Sequence, residues 1–175
     1  YLICPSFLTK KKSIIRKKVT NIFLFFGGFD NKNITNKVVD YFIHHKNKHS
    51  LYLHESFKNK HNYNKKIKYF NNKNIFNFLS SSDLAITSGG LIMFDVINIK
   101  KPLIAIPQYL HQKKNIKKLN NQNCLLDLRF NKNLYKNLSK YLSLINNFNE
   151  RIKMIKNQSK ILYGNKTPKA IQLIY

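Results

Sequence analysis

The chain is short of acid. Asp and Glu total 7 against 32 Lys and Arg, for a formal net charge of +25 over 175 residues. It is short of cysteine too: Cys4 and Cys124 are its only two, far apart and in no metal-ligand spacing. Both are expected as buried, inert thiols, which leaves no disulfide framework and no thiolate site. The six histidines form no zinc pattern, and His44, His45, His49, His54 and His61 read as surface positions of the first strand–helix unit. No apolar run approaches the roughly 18 residues of a membrane-spanning helix. The first residues, Tyr1-Leu2-Ile3-Cys4-Pro5, are followed by lysines and have no signal-peptide layout, so a cytoplasmic location is expected. The chain also lacks an initiator Met, and the expectation is a fragment of a longer protein.

What is present is enough for one packed domain: 43% hydrophobic and 13% aromatic residues. A charge of this size would by itself suggest nucleic acid or an anionic surface. However, nearly all the cations are Lys, and Lys, Asn, Ile, Phe and Tyr are enriched together, as AT-rich codon usage produces. The lysines are scattered, with short clusters at Lys10-Lys11-Lys12, Lys65-Lys66 and Lys113-Lys114. A solvated lysine surface is the simpler reading. It still favours anionic ligands and acidic partners.

Four glycines fall in two pairs, and each pair closes an apolar strand. The run Asp83-Leu84-Ala85-Ile86-Thr87 ends at Ser88-Gly89-Gly90, and Leu91-Ile92-Met93-Phe94-Asp95 opens a helix before the next apolar run at Leu103-Ile104-Ala105-Ile106. A glycine pair there lets backbone N–H groups approach a phosphate, and the following helix aims its positive end at the same point. Ser88 adds a hydroxyl. Asp95 lies about one and a half helical turns beyond Gly90, within reach of a ribose. The apolar run Val19 to Phe26 likewise ends at Gly27-Gly28-Phe29-Asp30. There Asp30 or Asn31 can cap a helix with Ile34, Val38, Tyr41 and Phe42 on one face.

Along the chain, strands are expected near 19–26, 50–54, 66–70, 83–87, 103–107 and 124–128. Helices are expected near 32–46, 74–82, 91–100, 111–122, 131–147 and 149–163, with a last helical segment near 167–175. This alternation predicts an α/β fold: a Rossmann-like open parallel sheet of about six strands, helices on both faces and right-handed crossovers. Both glycine turns are then expected on one edge of the sheet. Residues 1–18 read as an interdomain linker or extension, and 19–175 as the α/β domain.

With the motifs so placed, the chain resembles the C-terminal, nucleotide-binding half of GT-B-type sugar-nucleotide proteins. The nearest likeness is to the UDP-sugar hydrolase family of pseudaminic acid biosynthesis and the related spore-coat polysaccharide glycosyltransferase-like proteins. The resemblance runs from about Lys18 to Leu126. It rests on Phe26-Gly27-Gly28-Phe29-Asp30 with Asn33-Ile34-Thr35, on Ser82 to Gly90 with Met93-Phe94-Asp95, and on Pro102, Ile106-Pro107-Gln108, His111-Gln112 and Asn115. Cys4-Pro5 to Leu8 looks like the end of that family's interdomain connection.

The resemblance implies that Gly27, Gly28, Ser88, Gly89 and Gly90 face a diphosphate and Asp95 a ribose. Phe70 and Asn71 fall where related transferases cap the uracil ring, and Gln108, His111 and Gln112 would line the sugar side of an interdomain cleft. It implies a UDP-sugar or other nucleotide-sugar as ligand, no cofactor or metal, no specific nucleic acid, and the N-terminal domain of the same protein as partner. A catalytic His and a glycine-rich loop would belong to that other half, so no catalytic residue is nominated, and His111 reads as a ligand-orienting or structural group. There are departures: Phe29 stands where Ser is usual, Asp95 where Glu is usual, and Ile99-Lys100-Lys101 where glycine is usual. Three functions therefore stand: a UDP-sugar hydrolase, a GT-B glycosyltransferase of surface polysaccharide synthesis, and a basic non-catalytic binding module.

Overall fold

The computed structural model describes residues 15–45, 48–60 and 66–164. The expected connector before residue 15, with Cys4, lies outside them, as do His61 and the expected helical segment 167–175. The order of elements is β1 (Asn21–Phe25), α1 (Ile34–His44), β2 (Ser50–His54), a 3-10 helix (Glu55–Lys60), β3 (Ile67–Phe70), α2 (Ile75–Ser81) and β4 (Leu84–Thr87). There follow α3 (Leu91–Asn98), β5 (Leu103–Ala105), α4 (Leu110–Asn121), β6 (Leu126–Asp127), α5 (Leu134–Asn146) and α6 (Phe148–Gly164). The six strands form one sheet in the order β3-β2-β1-β4-β5-β6, and every adjacent pair is parallel. The sheet is therefore the expected Rossmann-like one.

Alternation along β1 divides the core in two. Ile22 and Leu24 point to one face, where they pack with Val38, Val39 and Phe42 of α1 and Leu138 and Leu142 of α5. Phe23 points to the other, against Leu79 of α2, Met93 and Val96 of α3, and Ile116 of α4. Helices thus cover both faces, and β4 and β5 are buried throughout, which is why they read as unbroken apolar runs.

Below the amino ends of the strands, buried charges tie the chain together. Asp83 accepts hydrogen bonds from the Thr20 and Asn21 amides at 2.9 Å each, from Thr20 Oγ1 at 2.8 Å and from Arg16 Nη1 at 2.7 Å. Burial pushes the Asp83 carboxyl up, but those amides and Arg16 outweigh it and hold the group below the usual range. Lys101, 1% exposed, donates to the Ser82 carbonyl at 2.7 Å. Burial pushes its ammonium down to about 8, against the pull of Asp83. Arg151, also 1% exposed, donates to the carbonyls of Ile145, Asn146, Arg16 and Lys17. Helix α6 is thereby locked to the segment entering β1.

Candidate functional site

Strand order reverses direction at β1, from which the chain passes outward to β2 and β3 and then returns to β4 on the other side. In open α/β sheets such a point leaves a crevice at the carboxyl ends of the two adjacent strands. The turns that follow β1 and β4 are the two glycine turns. They lie side by side, on one edge of the sheet as expected.

The two turns are not equivalent. Gly27 has φ of +90°, a conformation that favours glycine. A Cβ on Gly28 would touch nothing within 4 Å, so its bareness serves an open space above the turn. The amino end of α1 is already occupied. Asp30 Oδ1 accepts from the Ile34 amide at 2.9 Å and Oδ2 from the Thr35 amide at 2.6 Å. Of the two expected caps, Asp30 rather than Asn31 takes the role, and it occupies these first amides of α1. At α3 the N-cap is Gly90, which has no side chain to cap the helix, and the first turn carries no acidic residue. The field of α3 is thus the open one.

Gly89 answers a packing demand. A Cβ there would lie 2.7 Å from Ile116 Cδ1 and 2.9 Å from Gln112 Cβ, both on α4. A Cβ on Gly90 would meet only Ser88 Oγ at 3.5 Å and Gln112 Nε2 at 3.7 Å. Ser88 is 4% exposed. Asp95, on α3, is buried at 8% exposure.

Two buried amides hold the loops together. Gln108 Nε2 donates to the Phe26 carbonyl at 2.5 Å, joining the β5–α4 loop to the first glycine turn. Its Oε1 is buried with no hydrogen-bond partner among the described residues. Gln112 Oε1 accepts from the Gln108 amide at 2.9 Å, and its Nε2 faces the second turn. Asn31 Nδ2 donates to Tyr109 Oη at 3.2 Å, a further tie between the same loops. His111 is exposed and stacks on Tyr109 at 5.7 Å.

Phe70 differs from its expected placement. Its side chain is 1% exposed and stacks on Phe23 at 4.8 Å, so its ring is core rather than a cap for a base. Asn71 is spent locally: its Oδ1 accepts from the Lys73 amide, and its own amide donates to Asn74 Oδ1. The half-buried aromatic at the carboxyl end of β1 is Phe25, 5.7 Å from the His54 ring at the end of β2. Sequence reasoning passed over this pair. Its signal was the alternation that sends Phe25 to the face of Phe23 at the last position of a strand.

A cleft of about 370 Å³ opens beside the β5–α4 loop, with Lys32, Gln108, Tyr109, Lys113, Arg129 and Phe130 among its walls. A larger one, about 480 Å³, lies between the ends of α4 and α5 and helix α6, away from both glycine turns. Among the described residues, no group of three His, Cys, Asp or Glu side chains could hold a metal, and no helix is long and apolar enough to cross a membrane.

No curated protein sequence matches the chain. Among solved structures it is similar to MurG of Acinetobacter baumannii, with a TM-score of 0.59 and 12% identity over 83% of this chain and 49% of that one. It is similar to WaaG, a glycosyltransferase involved in lipopolysaccharide biosynthesis, with a TM-score of 0.62 and 14% identity over 95% of this chain and 51% of that one. It is also similar to the glycosyltransferase SsfS6 of Streptomyces sp. SF2575, solved with thymidine diphosphate, with a TM-score of 0.58 and 8% identity over 91% of this chain and 41% of that one. At these identities the likeness is one of fold, and the chain spans about half the length of each neighbour or less. The family model for the glycosyltransferase family 28 C-terminal domain matches residues 22–174, and the chain belongs to that family.

Proposed function

We propose that this chain is the donor-binding half of a GT-B glycosyltransferase that uses a nucleoside-diphosphate sugar, with UDP as the expected nucleotide. The observation that carries the reading is the glycine-capped amino end of α3, opened by Ser88-Gly89-Gly90 and set beside the first glycine turn, in a chain of glycosyltransferase family 28. In such a reaction the anomeric carbon–phosphate oxygen bond breaks and a bond to an acceptor oxygen forms. Charge grows on the departing diphosphate. Preorganised N–H groups and a helix amino end stabilise that charge without reorganising.

The amides of Gly28, Gly89 and Gly90 and the Ser88 hydroxyl are the diphosphate donors in this reading. Gly27 supplies the turn geometry. Asp95 accepts from the ribose, and Gln108 Oε1 accepts from a sugar hydroxyl. Phe25 with His54 offers the aromatic surface for the base in place of the buried Phe70 ring. Gln112 acts by holding Gln108, and His111 stands at the rim. The acceptor, and any group that activates it, belongs to a partner domain of the same protein. A cytoplasmic setting fits a nucleotide-sugar substrate.

The family match favours transfer over the UDP-sugar hydrolase reading that the sequence placed first. No observation supports pseudaminic acid as the pathway.

Calorimetric titration tests the reading. UDP is expected to bind the chain, and Asp95→Asn to weaken it about tenfold to a hundredfold, the worth of one charge-assisted hydrogen bond. No binding of UDP, CDP or thymidine diphosphate at millimolar concentration would refute the reading.

A further inference from the structure

Only three of the chain's 32 basic residues are arginines: Arg16, Arg129 and Arg151. In a sequence whose cations default to lysine, each arginine stands out. Two have structural work. Arg16 binds Asp83 and the Ser81 carbonyl, and Arg151 is buried on four carbonyls. Arg129 is different. It follows β6 at the carboxyl edge of the sheet and forms a wall of the cleft beside the β5–α4 loop. Asp127 fixes it there: Arg129 Nη2 lies 2.6 Å from Asp127 Oδ2, with the Asp127 side chain 8% exposed and that of Arg129 39% exposed. One nitrogen of the guanidinium is anchored, while the side chain stays partly open to solvent.

Lys32 and Lys113 stand on the same cleft, and among the described residues no carboxylate lines it. Gln108 lines it as well. Gln108 is 3% exposed, tied by Nε2 to the first glycine turn, and has a buried Oε1 without a hydrogen-bond partner among the described residues. Gln108 thus ties a cleft that carries three cations to the first glycine turn, through its bond to the Phe26 carbonyl. A planar guanidinium recognises a carboxylate or phosphate through paired donors, which an ammonium does not do.

We propose that this cleft is an anion-selective subsite, with Arg129 as its reading residue, for a carboxylate or phosphate carried by the ligand on the sugar side. The inference rests on the donor-binding reading and narrows it: the sugar transferred, or the acceptor that meets it, is acidic. Asp127 is a positioning residue for Arg129. Lys113 and Lys32 add field without fixed geometry.

The test compares UDP-glucuronic acid with UDP-glucose by calorimetry at fixed low salt, and reads the ratio of their affinities. The wild-type ratio is expected to favour the acid about tenfold, the scale of one charge-assisted contact. Arg129→Gln is expected to bring it close to one. Lys113→Gln, on the exposed side of α4, is expected to reduce it in part and serves if Arg129→Gln does not fold. Lys156→Gln removes the same charge from α6 and is expected to leave the ratio alone.

A second arm adds free glucuronate to UDP-saturated protein. Binding there that depends on Arg129, with no preference between the two donors, assigns the same site to an acidic acceptor. A ratio near one in the wild type, with no Arg129-dependent glucuronate binding, overturns the inference. So does a ratio that falls equally in Lys156→Gln, since the long-range field would then suffice. Absence of UDP binding itself overturns the donor reading, and this inference with it.

Discussion

Replacing Gly89 by Ala isolates what the second glycine turn owes to packing. The added methyl would stand 2.7 Å from Ile116 Cδ1, 2.9 Å from Ile116 Cγ1 and 2.9 Å from Gln112 Cβ. Carbon atoms in contact prefer about 3.5–4.0 Å, so the overlap is roughly 0.8 Å on three atoms at once. Ile116 is fully buried, so its tip has no empty space to enter. Gln112 Cβ is rigidly attached to the α4 backbone. Helix α4 must therefore retreat, and it carries the Gln112 side chain whose Oε1 accepts from the Gln108 backbone amide. Overpacking of this kind costs about 1–3 kcal/mol, which for a domain of this size is a fall of about 2–12 °C in Tm. Gly90→Ala is the matched control. Its methyl meets atoms at 3.5 and 3.7 Å, and Gly90 already has φ of −85°, so the cost should stay under about 1 kcal/mol. Thermal melts followed by circular dichroism read both. Ile116→Val, which removes Cδ1, should recover part of the Gly89→Ala loss in the double variant, a positive coupling between the two positions. Equal melting temperatures for Gly89→Ala and Gly90→Ala would refute the reasoning and return Gly89 to a purely ligand-facing role.

Lys101 predicts an alkaline gain in stability. Its ammonium titrates at about 8 in the fold against 10.5 in the unfolded chain, so the unfolded state binds more protons between those values. Stability then rises with pH in that window, by up to about 1.4 kcal/mol per unit. Urea denaturation of the wild type should show the rise from pH 8 to 9 and Lys101→Met should lack it; parallel curves would refute the burial argument. Burial holds the Cys124 thiol at about 11 against 9.0, which lowers stability above pH 9 in both proteins alike and leaves their difference clean. Asp83 predicts the acid side. Its carboxyl is held below 3.8 in the fold, so its contribution is complete above the unfolded value and is lost as pH falls through the folded one. Asp83→Asn should cost on the order of 3 kcal/mol near neutrality, and the cost should shrink towards pH 3. A penalty independent of pH would show that the carboxylate's charge is not what holds residues 16–21.

The succession of elements was written in the sequence. The apolar run from Val19 to Phe26, the unbroken apolar runs at Leu84–Thr87 and Leu103–Ala105, and helical spacing from Ile34 to Phe42 are local patterns, and each depends only on residues a few positions apart. Glycine pairs directly after two such strands marked the turns for the same reason. The AT-rich character of the composition turned attention from the basic residues as a class, so the three arginines were not singled out.

Contacts across the sheet were not legible, because they depend on which strands become neighbours. The return from β3 to β4 sets the turn at Gly27-Gly28 beside the one at Ser88-Gly89-Gly90, some 60 residues later. Nothing local to either turn records that meeting. The same placement let Gln108 reach the Phe26 carbonyl and pressed α4 against Gly89. Phe70 and Phe25 show the distinction most simply. Both are phenylalanines at the carboxyl ends of strands. Phe70 lies between the rings of Phe23 and Phe78 and is lost to the core, while Phe25 is left half-open beside His54. Sequence determined that each would be a strand-end aromatic. Only the packing of α2 over the sheet decided which ring would stay open, since exposure belongs to a side chain's neighbours in space and not to its position in the chain.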